Sequence, residues 1–155
     1  MNRCTWAKDE LNITYHDKEW GRPQHDDTKL FEFLILEGAQ AGLSWITILK
    51  RRDGYRKAFS DFDVLKVSKY TQKRVERLLR DESIIRNKLK VNSAINNAKA
   101  FLKVQVEFGS FDEYLWGFVN HKPIKNKFKK LSDIPASTEI SEKLSKDLKK
   151  RGFSF

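Results

Sequence analysis

The sequence predicts an all-α protein, a compact multi-helix domain that spans residues 1–155. Apolar residues recur at helical spacing along most of the chain, whereas the strict alternation typical of β-strands is rare. Residues that break regular structure are sparse, with seven glycines and three prolines among 155 residues. No internal repeat, low-complexity tract or linker divides the sequence, so a single domain is expected.

The first predicted helices follow short polar residues that can accept hydrogen bonds from free backbone N–H groups. Asp27 or Thr28 is expected to cap a helix over residues 29–41, which a glycine ends. Ser44 is expected to cap the next helix, over residues 45–52. Two further short helices are expected after caps at Asp63 and Thr71.

The second half of the chain predicts three helices. A long one is expected over residues 84–108, with a glycine just beyond its end. Ser110 and Glu113 have the pattern of a capping box, which opens a short aromatic helix. A last helix is expected over residues 138–150, with apolar residues at four-residue spacing and Gly152 after it. The residues expected on the inner face of the long helix are Leu89, Ile95, Ala98, Phe101 and Leu102.

Several classes of protein are excluded by composition. Glu32 and Glu37 interrupt the most apolar stretch, so no run approaches the roughly 18 apolar residues that a membrane helix requires. The segment that starts Met1-Asn2-Arg3 has no apolar signal region, and one cysteine cannot form an intrachain disulfide framework. We therefore expect a cytoplasmic protein without a membrane partner, and we expect it to act as a monomer.

The balance of charges favours a polyanionic partner. Thirty-one Lys and Arg residues outnumber 21 Asp and Glu residues, which gives a formal net charge of +10. Nucleic acid is the simplest such partner, although charge alone does not distinguish a nucleic-acid binder from a merely soluble cationic protein. Much of the excess lies after residue 120, where a basic loop with two prolines is expected before the last helix.

The end of the last helix is a candidate phosphate contact. Lys149, Lys150 and Arg151 precede Gly152 there. Positive charge at a helix C-terminus also offsets the helix dipole, which is the structural interpretation. The functional interpretation is that these cations, together with the backbone N–H groups of the glycine turn, bind a phosphate.

Glu37 is the most informative single residue. It lies in a stretch that is apolar on nearly every face, and it shares a helix face with Leu30, Phe33 and Leu34. An ionised carboxylate in such surroundings costs several kcal/mol unless it has partners. The partner can be a bound ligand, or it can be an arginine or helix N–H group with a purely structural role. The residues alone leave both interpretations open.

Four aromatic residues lie close to Glu37 in sequence, and these are Trp6, Tyr15, Trp20 and Trp45. A carboxylate near several π faces suits a flat ring that is cationic or polar. Aromatic residues more often simply build a core, so the pattern alone does not decide between a binding site and a core.

Cys4 and His16 are candidate metal ligands, with the sulfur and nitrogen donors that zinc prefers. A structural zinc site takes four ligands, so the pair alone is weak evidence for a metal. The sequence has no ordered Ser/His/Asp triad, no glycine-rich phosphate loop and no HExxH motif.

Several of these residues lie in longer motifs along the chain. The motifs are R-C-x-W at 3–6, Y-H-D-x-E-W-G at 15–21, L-E-G-x-Q-A-G-L-S-W-I-T at 36–47, I-I-R at 84–86, F-V-N-H at 118–121 and L-S-K-x-L-K-K-R-G-F-x-F at 144–155. With these motifs in this order, the sequence resembles the bacterial DNA-3-methyladenine glycosylase I family, base-excision repair enzymes of the helix–hairpin–helix superfamily. The resemblance covers essentially the whole chain.

The resemblance implies a mechanism in which an N3-methylated adenine is flipped out of duplex DNA and its N-glycosidic bond is hydrolysed. Glu37 would accept hydrogen bonds from the base and favour its positive charge. Tyr15 and Trp45 would stack on the base or border it, with Trp6 and Trp20 completing the aromatic wall. Strong general-acid help is not required, because the cationic base leaves as a neutral purine.

The resemblance also implies a DNA-binding hairpin and a structural zinc ion. Lys149, Lys150, Arg151 and Gly152 match the start of the hairpin, and Cys4 and His16 match the first two zinc ligands. In the family the second hairpin helix and the other two ligands, a His and a Cys, lie farther along the chain. One departure from the family pattern is Asn12, where some members have a second pocket tyrosine.

Because this sequence ends at Phe155, we expect an incomplete helix–hairpin–helix with Phe153 and Phe155 exposed, a half zinc site and a weakened domain. A tail that folds back on the domain is the alternative for these aromatic residues. The alternative function is a non-catalytic, truncated remnant that binds DNA only weakly through its basic surface. A third class is a plain DNA-binding module without base flipping.

Overall fold

A computed structural model describes residues 3–155, so Met1 and Asn2 of the N-terminal segment lie outside the described residues. Over this range the chain forms nine α-helices, two short 3₁₀ helices and no strand, which confirms the predicted all-α class. None of the helices in residues 3–155 is long and apolar enough to cross a membrane. The α-helices are α1 (Glu10–Lys18), α2 (Asp27–Gln40), α3 (Trp45–Leu49), α4 (Arg52–Ala58), α5 (Val64–Ser68), α6 (Gln72–Leu78), α7 (Lys88–Phe108), α8 (Phe111–Gly117) and α9 (Glu139–Lys150).

The core forms around α7, which packs against α2, α5, α6 and α8. Phe31 of α2 is fully buried, and its ring meets that of Phe101 of α7 edge-on at 5.2 Å between centroids. Phe101 in turn stacks on Phe111 of α8 at 4.2 Å. One face of α2 is therefore fixed by core packing, while other residues of α2 face α3 and the N-terminal segment.

Helix α2 begins two residues earlier than predicted, because Asp26 rather than Asp27 or Thr28 is its cap. The carboxylate of Asp26 accepts a hydrogen bond from the Lys29 backbone N–H at 2.8 Å. Asp27 instead accepts hydrogen bonds from the backbone N–H groups of Phe111 and Asp112, at 2.9 and 2.8 Å. Asp27 thus serves the N-terminus of α8, a partner more than 80 residues away along the chain.

The caps at Ser44, Asp63 and Ser110 are confirmed, since each side chain accepts a hydrogen bond from the backbone of its helix. Thr71 occupies a cap position without such a bond. The helix expected over residues 45–52 is shorter than predicted, because α3 ends at Leu49 and a new helix, α4, begins at Arg52.

Helix α7 begins at Lys88 rather than residue 84, after a cap at Asn87 whose side chain accepts from the Lys90 backbone N–H at 3.0 Å. The prediction that Leu89 lies on its inner face is wrong, because Leu89 is 70% exposed. The buried face is set by Val91, Ala98 and their neighbours at helical spacing, and Leu89 lies on the opposite side. Ile95, Ala98 and Phe101 are buried as predicted, and Leu102 is half-buried.

The last residues fold back on the domain, which is the alternative to the predicted exposure. Phe153 is buried against Phe111, whereas Phe155 is exposed as expected. Two polar residues of α7 hold the backbone of Ser154: Asn97 Oδ1 accepts from its N–H at 2.9 Å, and Asn97 Nδ2 and Ser93 Oγ each donate to its carbonyl at 2.8 Å. Phe153 is buried because these contacts satisfy the tail's backbone groups next to the apolar core.

Candidate active site

A cavity of about 370 Å³ lies where α1, the C-terminal half of α2 and the start of α3 meet. It brings together five residues that the sequence analysis selected, and these are Trp6, Tyr15, Trp20, Glu37 and Trp45. The other residues of its lining are Asn12, Gln40, Ser44 and Ile46. The volume is within the range of small-molecule sites in proteins, which hold a ligand between apolar walls with a few polar groups.

The start of α1 fixes one wall of the cavity. Asp9 caps this helix, since its Oδ1 accepts from the Asn12 backbone N–H at 3.0 Å. Its Oδ2 accepts from Asn12 Nδ2 at 2.6 Å, so the Asn12 side chain is held in a buried position on the cavity wall. Tyr15 lies one turn farther along the same helix face and lines the same cavity.

The aromatic rings of the cavity contact each other at an angle rather than in one stack. Tyr15 and Trp45 have centroids 5.3 Å apart, and Trp6 and Trp20 have centroids 5.5 Å apart. Trp6 also lies 6.2 Å from Tyr15, which joins the two pairs. The indole N–H of Trp45 is buried and has no hydrogen-bond acceptor among residues 3–155. A buried donor without an acceptor destabilises the fold, so it is unusual for a residue that only packs in the core.

Glu37 lines this cavity. The apolar sequence around it predicted a buried residue, but the structure does not bury it. Its side chain is exposed, and among residues 3–155 no group hydrogen-bonds to its carboxylate or forms an ion pair with it. Surrounding atoms still remove part of its water, and this desolvation raises its pKa. Within the described residues, therefore, neither an arginine nor a helix N–H group binds the Glu37 carboxylate, and the carboxylate is available to a ligand.

The buried carboxylate of α2 is Glu32, which sequence reasoning missed. Glu32 is only 2% exposed. Its Oε1 accepts hydrogen bonds from Arg52 Nε at 2.6 Å and Arg56 Nη2 at 3.0 Å, and its Oε2 accepts from Lys29 Nζ at 2.9 Å. Burial opposes its ionisation, but the hydrogen bonds from Arg52 and Lys29 outweigh burial and keep its pKa below the ordinary value. Only the three-residue spacing from Lys29 hints at this arrangement in the sequence.

Arg52 also connects α4 to the end of α1. Its Nη1 and Nη2 donate to the two carboxylate oxygens of Glu19 at 2.6 and 2.8 Å, a two-pronged arrangement that fixes orientation. Its guanidinium lies 5.3 Å from the ring centroid of Phe33. Glu19 directly precedes Trp20, so this contact holds the cavity wall at Trp20 against α2. Neither Glu19 nor Arg52 was selected from the sequence.

Cys4 and His16 are neighbours beside the aromatic wall. The Cys4 backbone N–H donates to His16 Nε2 at 3.3 Å, and His16 Nδ1 lies 2.9 Å from Asp17 Oδ1. The imidazole ring stacks on Trp20 at 5.4 Å between centroids. Within residues 3–155 no three His, Cys, Asp or Glu side chains are grouped as metal ligands. Cys4 and His16 supply one sulfur and one nitrogen donor, so they would hold a structural zinc ion only together with two further ligands.

The residues selected for DNA contact differ in their surroundings. Arg151 is held within the domain, since its Nε donates to Asp147 and its Nη1 to Glu107, both at 2.7 Å, and it lies over two aromatic rings. Lys149 and Lys150 are exposed at the end of α9. Gly152 follows with a φ of +93°, a conformation that favours glycine. We call residues 149–152 the Gly152 turn.

Known proteins share the sequence pattern of this chain. Over residues 5–155 the sequence matches the profile of the methyladenine glycosylase family. It is 50% identical over 156 residues to DNA-3-methyladenine glycosylase 1 of Escherichia coli K12, covering 100% of this chain and 83% of that protein.

Solved structures give the same result. The fold matches a crystal structure of 3-methyladenine DNA glycosylase I with a TM-score of 0.95 and 46% identity, over 99% of this chain and 85% of that one. It also matches a tyrosine-to-phenylalanine variant of such a glycosylase in complex with 3-methyladenine, with a TM-score of 0.95 and 39% identity, over 99% and 83% of the two chains. The profile match, the sequence identity and the shared fold together show that this chain belongs to the methyladenine glycosylase family.

Proposed function

We propose that this protein is a base-excision repair glycosylase that flips 3-methyladenine out of alkylated double-stranded DNA and releases it by hydrolysis of the N-glycosidic bond. The observation that carries the proposal is Glu37, a carboxylate without a protein partner in residues 3–155, in a cavity walled by aromatic rings. A plain DNA-binding module has no use for such a cavity.

The chemistry of the damaged base suits this cavity. Methylation at N3 gives the base a positive charge while it is attached to the sugar, and a cation between aromatic faces gains energy that neutral adenine lacks. An ionised Glu37 adds to that preference and accepts hydrogen bonds from the base. Extrusion of a base from the duplex costs least when the base is damaged, which adds to selectivity.

Each residue of the cavity then has a role in recognition. Tyr15 and Trp45, whose rings lie 5.3 Å apart, stack on the base or border it. Trp6 and Trp20 complete the wall on the side of Cys4 and His16. The departing base becomes a neutral purine when the bond breaks, so the protein supplies binding and orientation rather than a strong general acid.

The Gly152 turn is the proposed contact to DNA phosphates. Lys149 and Lys150 are exposed there and carry the positive charge. The ion pairs of Arg151 with Asp147 and Glu107 make it the residue that shapes the turn. Phe155 follows the turn and lies beside Gly38 of α2, so the phosphate contact and Glu37 are close in the fold.

The remaining expectations are proposals of the same kind. One chain forms the whole base cavity, which favours a monomer, and a DNA substrate favours the cytoplasm of a bacterial cell. Zinc at Cys4 and His16 stays a prediction, in which thiolate and imidazole supply two of four donors. Its test is metal content of the purified protein before and after Cys4→Ser, with bound zinc lost in the variant.

The experiment that tests the function is release of 3-methyladenine from methylated duplex DNA by the purified chain, with Glu37→Gln as the matched variant. We expect release by the unaltered chain and none by the variant, while both bind undamaged duplex within about twofold of each other. No release from protein that circular dichroism shows to be folded would instead support the non-catalytic remnant.

A further inference from the structure

A segment with five net positive charges lies outside both the cavity and the Gly152 turn. Residues 122–130 contain five lysines and no acidic residue, and they account for five of the net ten positive charges. Helix α9, which leads to the Gly152 turn, has four lysines against three acidic residues. The electrostatic attraction for duplex DNA is therefore expected to be stronger at this loop than at α9. We call residues 122–130 the basic loop.

The charge of the basic loop is not neutralised within the domain. Every one of its residues is exposed. Among residues 3–155 none of its five lysine ammonium groups forms an ion pair, whereas Lys29 and Lys66 elsewhere pair with carboxylates at 2.9 and 3.6 Å. Like charges in so short a segment repel each other, and a polyanion relieves that repulsion.

The position of the basic loop connects it to the DNA contact already proposed. It begins after Asn120 and His121, two residues with positive φ of 54° and 57° that turn the chain sharply. These two residues line a cavity of about 700 Å³ together with Lys143 and Arg151 of the α9 segment. Glu113 and Asp147 line the same cavity, so the cavity itself is not purely cationic, but it places the start of the loop next to the segment that leads into the Gly152 turn.

Apolar side chains are interleaved with the lysines. Ile124 and Phe128 are 58% and 44% exposed. Proteins that bind the minor groove of duplex DNA frequently combine cations with apolar side chains that insert between base steps. A loop that was only a solubilising face would have no need for exposed Phe and Ile between its lysines.

We propose that the basic loop binds the phosphate backbone of duplex DNA as a second contact, separate from the Gly152 turn. The identity of the substrate rests on the proposed function, whereas the anion preference rests on the charge and exposure of the loop. The lysines displace counterions from the duplex, so the affinity depends on salt with a slope of about −0.9 per phosphate contacted.

The test compares two variants of the full chain with the same change in charge. One replaces Lys125, Lys127, Lys129 and Lys130 of the loop with Gln. The matched control replaces four exposed lysines elsewhere on the domain that form no ion pair among residues 3–155, which are Lys57, Lys69, Lys73 and Lys99. The affinity for a short undamaged duplex is measured between about 50 and 200 mM NaCl.

In the loop variant, the slope of log affinity against log salt concentration is expected to become shallower by about 3 to 4. Its affinity at the lowest salt is expected to fall at least tenfold. The control is expected to change the slope by less than about 1. Equal changes in the two variants would overturn the proposal, because net charge rather than the loop would then govern binding. Loss of affinity for an RNA hairpin but not for duplex DNA would overturn it as well.

This outcome is independent of the proposed function. Undamaged duplex is bound without excision, so the salt slopes decide the role of the loop even if the unaltered chain releases no base. Conversely, normal excision by the unaltered chain together with equal slopes would leave the glycosylase function intact and exclude the loop.

Discussion

The carboxylate of Glu37 and the phenol of Tyr15 line the same cavity, and the negative charge of Glu37 disfavours ionisation of Tyr15. Burial is the larger cause, and burial together with Glu37 and Glu19 raises the pKa of Tyr15 to about 12. Tyr15 is therefore a neutral hydrogen-bond donor at physiological pH. The two residues offer a base one donor and one anionic acceptor from adjacent walls.

Replacement of Glu37 by Gln should lower the pKa of Tyr15, because one of the negative charges that disfavour the phenolate is removed. The value should stay above the ordinary tyrosine value, since burial persists. NMR titration of ring-labelled tyrosine in both proteins measures this shift. An unchanged pKa would mean that the two groups do not interact across the cavity.

Excision should decline as the pH falls toward the acidic range, and earlier than an ordinary glutamate would require. Desolvation raises the pKa of Glu37, so its proton is taken up at a higher pH and the charge that favours the cationic base is lost. Single-turnover rates on methylated duplex across pH measure the effect. Rates that stay constant down to the ordinary glutamate pKa would contradict this role for Glu37.

The same variant, Glu37→Gln, should be slightly more stable than the unaltered protein at neutral pH. A carboxyl whose pKa is raised on folding stabilises the fold below its unfolded pKa, and this contribution is lost as the pH rises through the folded pKa. Gln removes the neutral-pH cost of the desolvated charge, and such trade-offs between stability and activity are common at functional sites. Thermal melting at neutral and acidic pH should show an advantage of the variant only at neutral pH.

Loss of Arg52 should destabilise the domain strongly. Arg52→Met leaves Glu32, which is 2% exposed, without its shortest hydrogen bond, and breaking a buried pair on one side costs about 3–5 kcal/mol. Arg56→Met is the control, because Arg56 is partly exposed and Arg52 and Lys29 still hold Glu32. The free energies of unfolding in urea should be clearly lower for the Arg52 variant than for the Arg56 variant. Equal decreases would show that Arg52 is no more important to the stability of Glu32 than Arg56.

The last residues should add to stability through Asn97. Asn97→Ala removes the side chain that pairs with both the N–H and the carbonyl of Ser154, with an expected loss of about 1–3 kcal/mol in the free energy of unfolding. Asn92→Ala is the matched control on an exposed position of α7. A loss no larger than that of the control would show that the tail is not anchored by these bonds.

Features that depend on neighbours in sequence could be predicted, and features that depend on distant partners could not. Ser44 and Ser110 cap their helices as predicted, because a cap bonds to residues two or three positions away. Helix α1 was missed because its residues are mostly polar and its one buried residue is Asn12. Asp27 was assigned to the wrong helix, since its partners at Phe111 and Asp112 are invisible to a local pattern.

The candidate site shows the same division. Glu37 and the aromatic residues were selected because their chemistry is unusual for their positions, and the structure places them around one cavity. The residues that hold the cavity walls in place were not selected from the sequence. The contacts of Arg52 with Glu19 and Glu32 span 33 and 20 residues, which no local pattern reveals. Amphipathic patterns indicate that a residue is buried, but they do not identify its partner.

A crystal structure of this chain with 3-methyladenine will decide whether the cavity at Glu37 holds the damaged base. We expect the base in the cavity, against the rings of Tyr15 and Trp45, with a nitrogen donor within about 3.2 Å of a Glu37 carboxylate oxygen. Base bound elsewhere, or bound in the cavity without a hydrogen bond to Glu37, would contradict it.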